Sequence, residues 1–141
     1  MKRTANAKWQ GDLAGGSGTM STGSGTLSDA AFSFHTRFEE GEGTNPEELV
    51  AAAHAGCYSM AFSHTISEAG FKPDSVQTTC TITFDKTDAG PTVTASHLEM
   101  RAKIPGVSQE AFDKAANEAK AGCPISRLLN TEITLDATLE A

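Results

Sequence analysis

From Leu49 to Thr65 the chain carries no Asp, Glu, Lys or Arg, yet its alanine-rich pattern reads as a helix. The start is well marked. In Thr44-Asn45-Pro46-Glu47-Glu48, Asn45 takes the N-cap and Pro46 the first helical position. Glu48 follows Asn45 by three residues, as in a capping box. The pattern predicts a helix over about 46–69, stopped by Gly70. A helix with no charged face is normally enclosed on all sides, and the alanines and Gly56 let neighbouring backbone come close. A chain of 141 residues has little material to surround such a helix alone. The expectation is a homodimer whose second subunit supplies the rest of the cover.

The remaining segments place that helix in an α+β fold. Residues 7–40 are rich in glycine and threonine, with short alternating runs, and predict a small antiparallel meander. Phe32, Phe34 and Thr36 alternate with Ser33 and His35, which reads as a half-buried strand. Trp9 and the phenylalanines argue against a flexible linker here. After the helix, Val76, Thr78, Cys80, Ile82 and Phe84 share one parity of a strand over 74–85, and a turn follows over 85–91. A second strand over 92–103 has Val93, Ala95, His97 and Glu99 on one parity. Residues 108–121 predict an amphipathic helix with Ser108 as N-cap and Ala111, Phe112, Ala115, Ala116 and Ala119 on its inner stripe. Cys123-Pro124 begins a short helix to about Leu129, and Ile133, Leu135, Ala137 and Leu139 mark a last strand. The whole reads as one domain over 1–141: meander about 7–40, central helix about 46–69, β-β-α-α-β about 74–140.

Composition narrows the partners. A net charge of −7 argues against nucleic acid and anionic membranes. No apolar run approaches the roughly 20 residues of a membrane span. Lys8, Gln10 and Asp12 fall where the core of a secretory signal would sit, so no signal is expected. Three cysteines without a tight framework suit a reducing cytoplasm.

Two of those thiols have marked settings. A thiol attacks as its thiolate, so the question is what would lower its pKa. Cys57 lies about three turns into the central helix, too far from the N-terminus for its dipole to help. Burial would push the pKa up. A working Cys57 therefore needs an external cation. Arg37 is the best candidate, because it follows the predicted Phe32–Thr36 strand and arginine stays charged when buried. A buried arginine needs an anion. Glu48 is engaged by the capping box, which leaves Glu47. Glu47 is ten residues before Cys57, about 15 Å along the helix axis, so an Arg37–Glu47 pair meets Cys57 only through chain reversal or from another subunit. Equally open is that Arg37 and Glu47 are plain surface charges.

Cys123, between Gly122 and Pro124, falls at an N-cap. There backbone N–H groups and the positive helix end would stabilise a thiolate suited to a resolving role; a plain cap or core residue is the alternative. Cys80, on the inner parity of a strand, reads as core. His54 and Cys57 stand three apart on one helix face. That spacing fits a general-base pair, half a metal site or a packed, hydrogen-bonded core histidine, and the last is favoured. With no CxxC and no HxxxH, no metal site is expected.

The string Gly43-Thr44-Asn45-Pro46-Glu47-Glu48-Leu49-Val50-Ala51-Ala52-Ala53-His54-Ala55-Gly56-Cys57, followed by Ala119-Lys120-Ala121-Gly122-Cys123-Pro124-Ile125-Ser126, closely resembles the OsmC/Ohr family, the osmotically inducible and organic hydroperoxide resistance proteins. The resemblance runs from Trp9-Gln10-Gly11-Asp12 to Glu132-Ile133-Thr134-Leu135-Asp136, and the Ala-Ala-His stretch and Thr36-Arg37-Phe38-Glu39 look more like the OsmC branch. It implies an intertwined homodimer with long helices buried between antiparallel sheets and active sites at the subunit interface. It also implies a thiol peroxidase acting on organic hydroperoxides in stress defence. By motif, Cys57 matches the peroxidatic cysteine, Cys123 the resolving one, Arg37 the arginine that activates the thiolate and Glu47 the glutamate that orients it. No metal or organic cofactor is implied; a dithiol reductant of the dihydrolipoyl type is. Gly56 stands where an alanine is usual, which could loosen the helix by up to about 1 kcal/mol. Two other readings stay open: a non-catalytic dimer that binds a hydrophobic small molecule, and, less favoured without a CxxC, a general thiol–disulfide oxidoreductase.

Overall fold

The computed structural model describes all of residues 1–141, which divide into two units, Met1–Leu49 and Val50–Ala141. In the first, strands β1 (Ala5–Gln10), β2 (Ser17–Thr22) and β3 (Ala30–Phe32) form an antiparallel sheet in sequence order. The Trp9 and Phe32 rings pack 5.3 Å apart across it. The strand expected through Phe34 and Thr36 ends at Phe32. Residues Phe34–Phe38 are instead a short helix, α1. The reason is a capping box that the alternating phenylalanines obscured: the Ser33 side chain accepts from the Thr36 N–H, and the Thr36 hydroxyl accepts from the Ser33 N–H at 2.8 Å. Arg37 is therefore a helical residue, with its side chain 39 % exposed.

A turn through Gly43, at φ 119°, leads into helix α2 (Pro46–Glu68). A Cβ on Gly43 would lie 2.5 Å from the Ala31 carbonyl oxygen, so both the backbone conformation and the space demand glycine. The capping box at this start is half as predicted. Asn45 Oδ1 accepts from the Glu48 N–H at 2.7 Å, but the Glu48 carboxylate accepts from the buried Thr44 hydroxyl at 2.7 Å rather than reaching back to the Asn45 backbone. At the other end Gly70 adopts φ 92°, and its N–H and that of Phe71 donate to the Ser67 and Ile66 carbonyls. This is the paired bonding of a Schellman stop.

In the second unit, β4 (Ser75–Thr87) and β5 (Gly90–Lys103) form a long antiparallel hairpin, and β6 (Glu132–Glu140) runs parallel to β5. This sheet is mixed, where antiparallel pairing was expected throughout. Helices α3 (Gln109–Gly122) and α4 (Pro124–Leu128) form the crossover that a parallel return requires. The β4 parity is as read: Val76, Thr78, Cys80, Ile82 and Phe84 alternate with exposed neighbours. On β5 the parity fails. Val93 pairs with Phe84, but the register shifts there and Ala95 pairs with Thr83, leaving Thr94 as the extra residue of a bulge. Beyond it the buried side chains are Ser96, Leu98, Met100 and Ala102, while His97 and Glu99 point to the opposite face. In register with that buried row stand Ile133, Leu135, Ala137 and Leu139 of β6.

Helix α2 buries one stripe in this unit, His54, Tyr58, Phe62 and Ile66, at the four-residue spacing of one helix face. It meets Phe112, Ala115, Ala116 and Ala119 of α3 and the inner row of β5. The Tyr58 hydroxyl donates to the Ala116 carbonyl at 3.0 Å, and the Phe62 and Phe112 rings meet edge to face at 5.6 Å. Within this unit the uncharged helix is only half covered: Ala52, Ala53, Gly56 and Met60 remain exposed, Met60 at 76 %. Because Phe62 is wholly buried among these contacts, Phe62→Ala is expected to cost about 3–5 kcal/mol. Urea denaturation checks this, and a loss under about 1 kcal/mol contradicts this packing.

Candidate active site

The two marked cysteines meet. Cys57, one turn after His54 on α2, has its Sγ 2.9 Å from Cys123 Sγ, across 66 positions of sequence. Both are free thiols; Cys57 is half-buried and Cys123 fully buried. Cys123 ends the buried stripe of α3 and caps α4 at once, and Pro124 fixes the direction of the chain immediately after it. The local reading of Cys123 needs a correction. Its residue is the N-cap of α4, but its side chain makes no capping hydrogen bond. Its thiol turns instead to Cys57, and the Ile125 backbone N–H is also directed to Cys57. The first turn of α4 therefore serves the other cysteine.

Burial pushes the Cys57 thiol above its ordinary value of 9.0, and its interaction with the neighbouring Cys123 thiol adds to the rise. The Ile125 N–H works against both. Within this unit the balance favours the thiol, which matches the sequence argument that Cys57 needs a cation to react near neutral pH.

That cation candidate is ion-paired in the first unit. Arg37 Nε and Nη2 both donate to Glu47 Oε1, at 3.2 and 3.0 Å. The Glu47 side chain is 13 % exposed, and its Oε2 is buried without a hydrogen-bond partner. The Arg37 guanidinium also lies 5.5 Å from the Phe38 ring centre. It borders an apolar cleft of about 240 Å³ lined by Trp9, Leu13, Phe32, Phe34 and Phe38. The sequence placed Trp9, Phe32 and Phe34 in a meander and gave no sign that they gather beside Arg37. Once α1 is a helix, Phe34 and Phe38 share one face, with ring centres 4.9 Å apart.

His54 is wholly buried, and both ring nitrogens have partners: Nδ1 is 2.6 Å from Ser96 Oγ and Nε2 is 2.8 Å from Ser126 Oγ. Burial pulls its pKa below the ordinary 6.5, so it is neutral above that pH. With both nitrogens engaged it is the hydrogen-bonded core histidine that was favoured, and it is not paired with Cys57 as a base. Cys80 Sγ lies 3.2 Å from Ser96 Oγ and packs against the core. Burial raises the Cys80 thiol, against a smaller opposite pull from Ser96. Side chains able to share a metal come together at His97, Glu99 and Asp136, on the exposed face of β5 and β6. There His97 Nδ1 bonds the Thr134 hydroxyl, and Nε2 is 3.3 Å from Asp136.

A long helix followed by a β-β-α-α-β unit has known counterparts. The family of OsmC-like proteins matches residues 39–138. This chain belongs to that family. Peroxiredoxin OsmC of Escherichia coli K12 is 48 % identical over 99 % of the chain and 97 % of its own length. Organic hydroperoxide resistance protein-like 2 of Staphylococcus epidermidis is 30 % identical over 71 % of each chain. An OsmC-like protein of unknown function from Vibrio cholerae superposes with a TM-score of 0.76 at 17 % identity, covering 97 % of this chain and 99 % of its own. That likeness carries the OsmC-like α+β fold. No helix of the chain is long and apolar enough to cross a membrane.

Proposed function

We propose that this chain is a cysteine-based peroxidase of the OsmC branch that reduces organic hydroperoxides to alcohols in a cytoplasmic defence against oxidative stress. The observation that carries the reading is the Cys57–Cys123 contact: two free thiols 2.9 Å apart, so that an oxidised Cys57 meets its partner without rearrangement of the chain. The 48 % identity to a peroxiredoxin over nearly the whole length supports it independently.

In this scheme the Cys57 thiolate attacks the terminal oxygen of the hydroperoxide. The O–O bond breaks, the alkoxide leaves and takes a proton, and Cys57 becomes a sulfenic acid. Cys123 condenses with it, losing one water and forming the Cys57–Cys123 disulfide. An external dithiol, of the dihydrolipoyl type, then returns both thiols and is itself oxidised to a disulfide. Arg37 lowers the Cys57 pKa and neutralises the departing alkoxide, and Glu47 fixes the direction of the guanidinium. The aromatic cleft beside Arg37 accepts the alkyl or aryl group, which favours organic over hydrogen peroxide. We place the 141 residues as one subunit of an intertwined homodimer, in which a second copy covers Ala52, Ala53, Gly56 and Met60 and supplies the Arg37–Glu47 pair.

The test is a single turnover of pre-reduced protein with one equivalent of cumene hydroperoxide, followed by intact mass and disulfide mapping. The expected product has lost two hydrogens and carries one bond, Cys57–Cys123. If neither thiol reacts at stoichiometric peroxide, the activated-thiolate reading fails.

A further inference from the structure

We infer that His54 is a positioning residue for the thiol pair: through Ser126 it pins the first turn of α4 and thereby holds Cys123 against Cys57. This rests on the peroxidase reading above. The geometry is a matched double attachment. On α2, His54 and Cys57 are three residues apart and share a face. At the start of α4, Cys123 and Ser126 are also three apart. The two pairs join residue for residue, Cys57 Sγ to Cys123 Sγ at 2.9 Å and His54 Nε2 to Ser126 Oγ at 2.8 Å. The Ile125 N–H directed to Cys57 lies between these two attachments.

The other side of the ring is anchored as well. His54 Nδ1 bonds Ser96 Oγ at 2.6 Å on β5, and Ser96 Oγ lies 3.2 Å from Cys80 Sγ on β4. His54, Ser96 and Ser126 are all buried, at 0 %, 0 % and 7 % exposure. A buried imidazole with one partner on the sheet and one on α4 fixes α4 in two directions at once. Neutral imidazole has one donor and one acceptor nitrogen, and a hydroxyl serves either, so every polar atom of this link is satisfied. Without the link, α4 is a five-residue helix whose own first turn has no side-chain cap. Besides the Ile125 N–H on Cys57, this link is what fixes the distance on which sulfenic acid condensation depends, since that reaction joins Cys57 S–OH to Cys123 S–H with loss of water.

Two amide variants separate the two bonds. A glutamine amide reaches the place of Nε2, and an asparagine amide the place of Nδ1. His54→Gln retains the link to Ser126, and His54→Asn retains only the link to Ser96. The measurement is quench-flow of pre-reduced protein with one equivalent of cumene hydroperoxide. Dimedone trapping follows the sulfenic acid, and mass spectrometry follows the disulfide. His54→Asn and Ser126→Ala are expected to slow the condensation at least ~10-fold while Cys57 oxidation stays within about threefold. His54→Gln and Ser126→Thr are expected to restore most of the condensation rate. Condensation at the wild-type rate in both His54→Asn and Ser126→Ala overturns the inference and leaves the peroxidase reading intact. Equal slowing of both steps in the Asn and Gln variants also overturns it, because a general loss of packing makes no such distinction. If His54→Asn does not fold, the Ser126 pair decides. A wild-type protein that forms no disulfide overturns the peroxidase reading and this inference with it.

Discussion

Cys57→Ser is expected to abolish turnover of cumene hydroperoxide with dihydrolipoamide as reductant, by more than about 10³-fold in kcat/KM. The serine hydroxyl matches the thiol in shape but has no accessible anion near neutral pH, so the attacking species is lost while the packing survives. Cys57 is half-buried and packs at the edge of the Tyr58–Phe112 core, and the change from sulfur to oxygen removes little volume. A folded, inactive protein is therefore the expected result, with far-UV circular dichroism unchanged. The companion variant behaves differently. Cys123→Ser keeps the nucleophile and consumes one equivalent of peroxide, but stalls as a sulfenic acid that dimedone labels, because the sulfur 2.9 Å away is gone. Together the two variants order the roles: one loses the first oxidation, the other only its resolution. Multiple turnovers in Cys57→Ser sink the mechanism outright. Unimpaired recycling in Cys123→Ser removes Cys123 from it.

The parts of this arrangement that were legible in the sequence are those set by local rules. Asn45-Pro46 and Gly70 bracket α2 because caps and stops depend on a few neighbouring residues. The inner stripe of α3 and the parity of β4 follow from simple periods of one element. What escaped the sequence was either a competition between two local signals or a contact between distant residues. At Phe32–Phe38, the alternating phenylalanines suggested a strand, while Ser33 and Thr36 formed a reciprocal cap and the helix won. On β5, the bulge at Thr94 exchanged the two faces and put Ser96, not His97, in the interior. No period can announce such an insertion. The consequence reaches the site, because Ser96 is the Nδ1 hydroxyl partner of His54. His54 was visible as a buried residue on the face of Cys57; that its second nitrogen meets Ser126, 72 positions away, is a fact of the fold alone. Cys123 shows the same limit. Its N-cap position was read correctly from Gly122 and Pro124, but the N-cap site does not dictate where the sulfur turns.

Arg37→Met is expected to lower kcat/KM by about 10²–10³-fold and to change the shape of its pH dependence. The magnitude is that of removing a fixed charge or donor from a developing anion. The change of shape follows from Cys57. Burial, then the interaction with the Cys123 thiol, raise its pKa above 9.0, and the Ile125 N–H only partly offsets them. The thiolate is the reactive form, so below the pKa the rate rises about tenfold per pH unit. If Arg37 stands beside the sulfur as proposed, the pKa falls and the profile levels off early. With Arg37 removed, only the raised value remains, and kcat/KM should keep climbing through pH 9.0. Arg37→Lys keeps a charge but loses the two-nitrogen grip on Glu47 Oε1. Its rate should fall between the two, with a profile nearer the wild type. Stability needs a separate check, because Glu47 is 13 % exposed and loses its counter-charge in Arg37→Met. Thermal melting of that variant and of Arg37→Met/Glu47→Gln distinguishes the effects: neutralising Glu47 should recover stability without recovering the rate or the early plateau. If Arg37→Met retains the wild-type profile, the cation that activates Cys57 lies elsewhere. If the double variant regains the rate, Arg37 matters only as the partner that keeps a buried carboxylate in place.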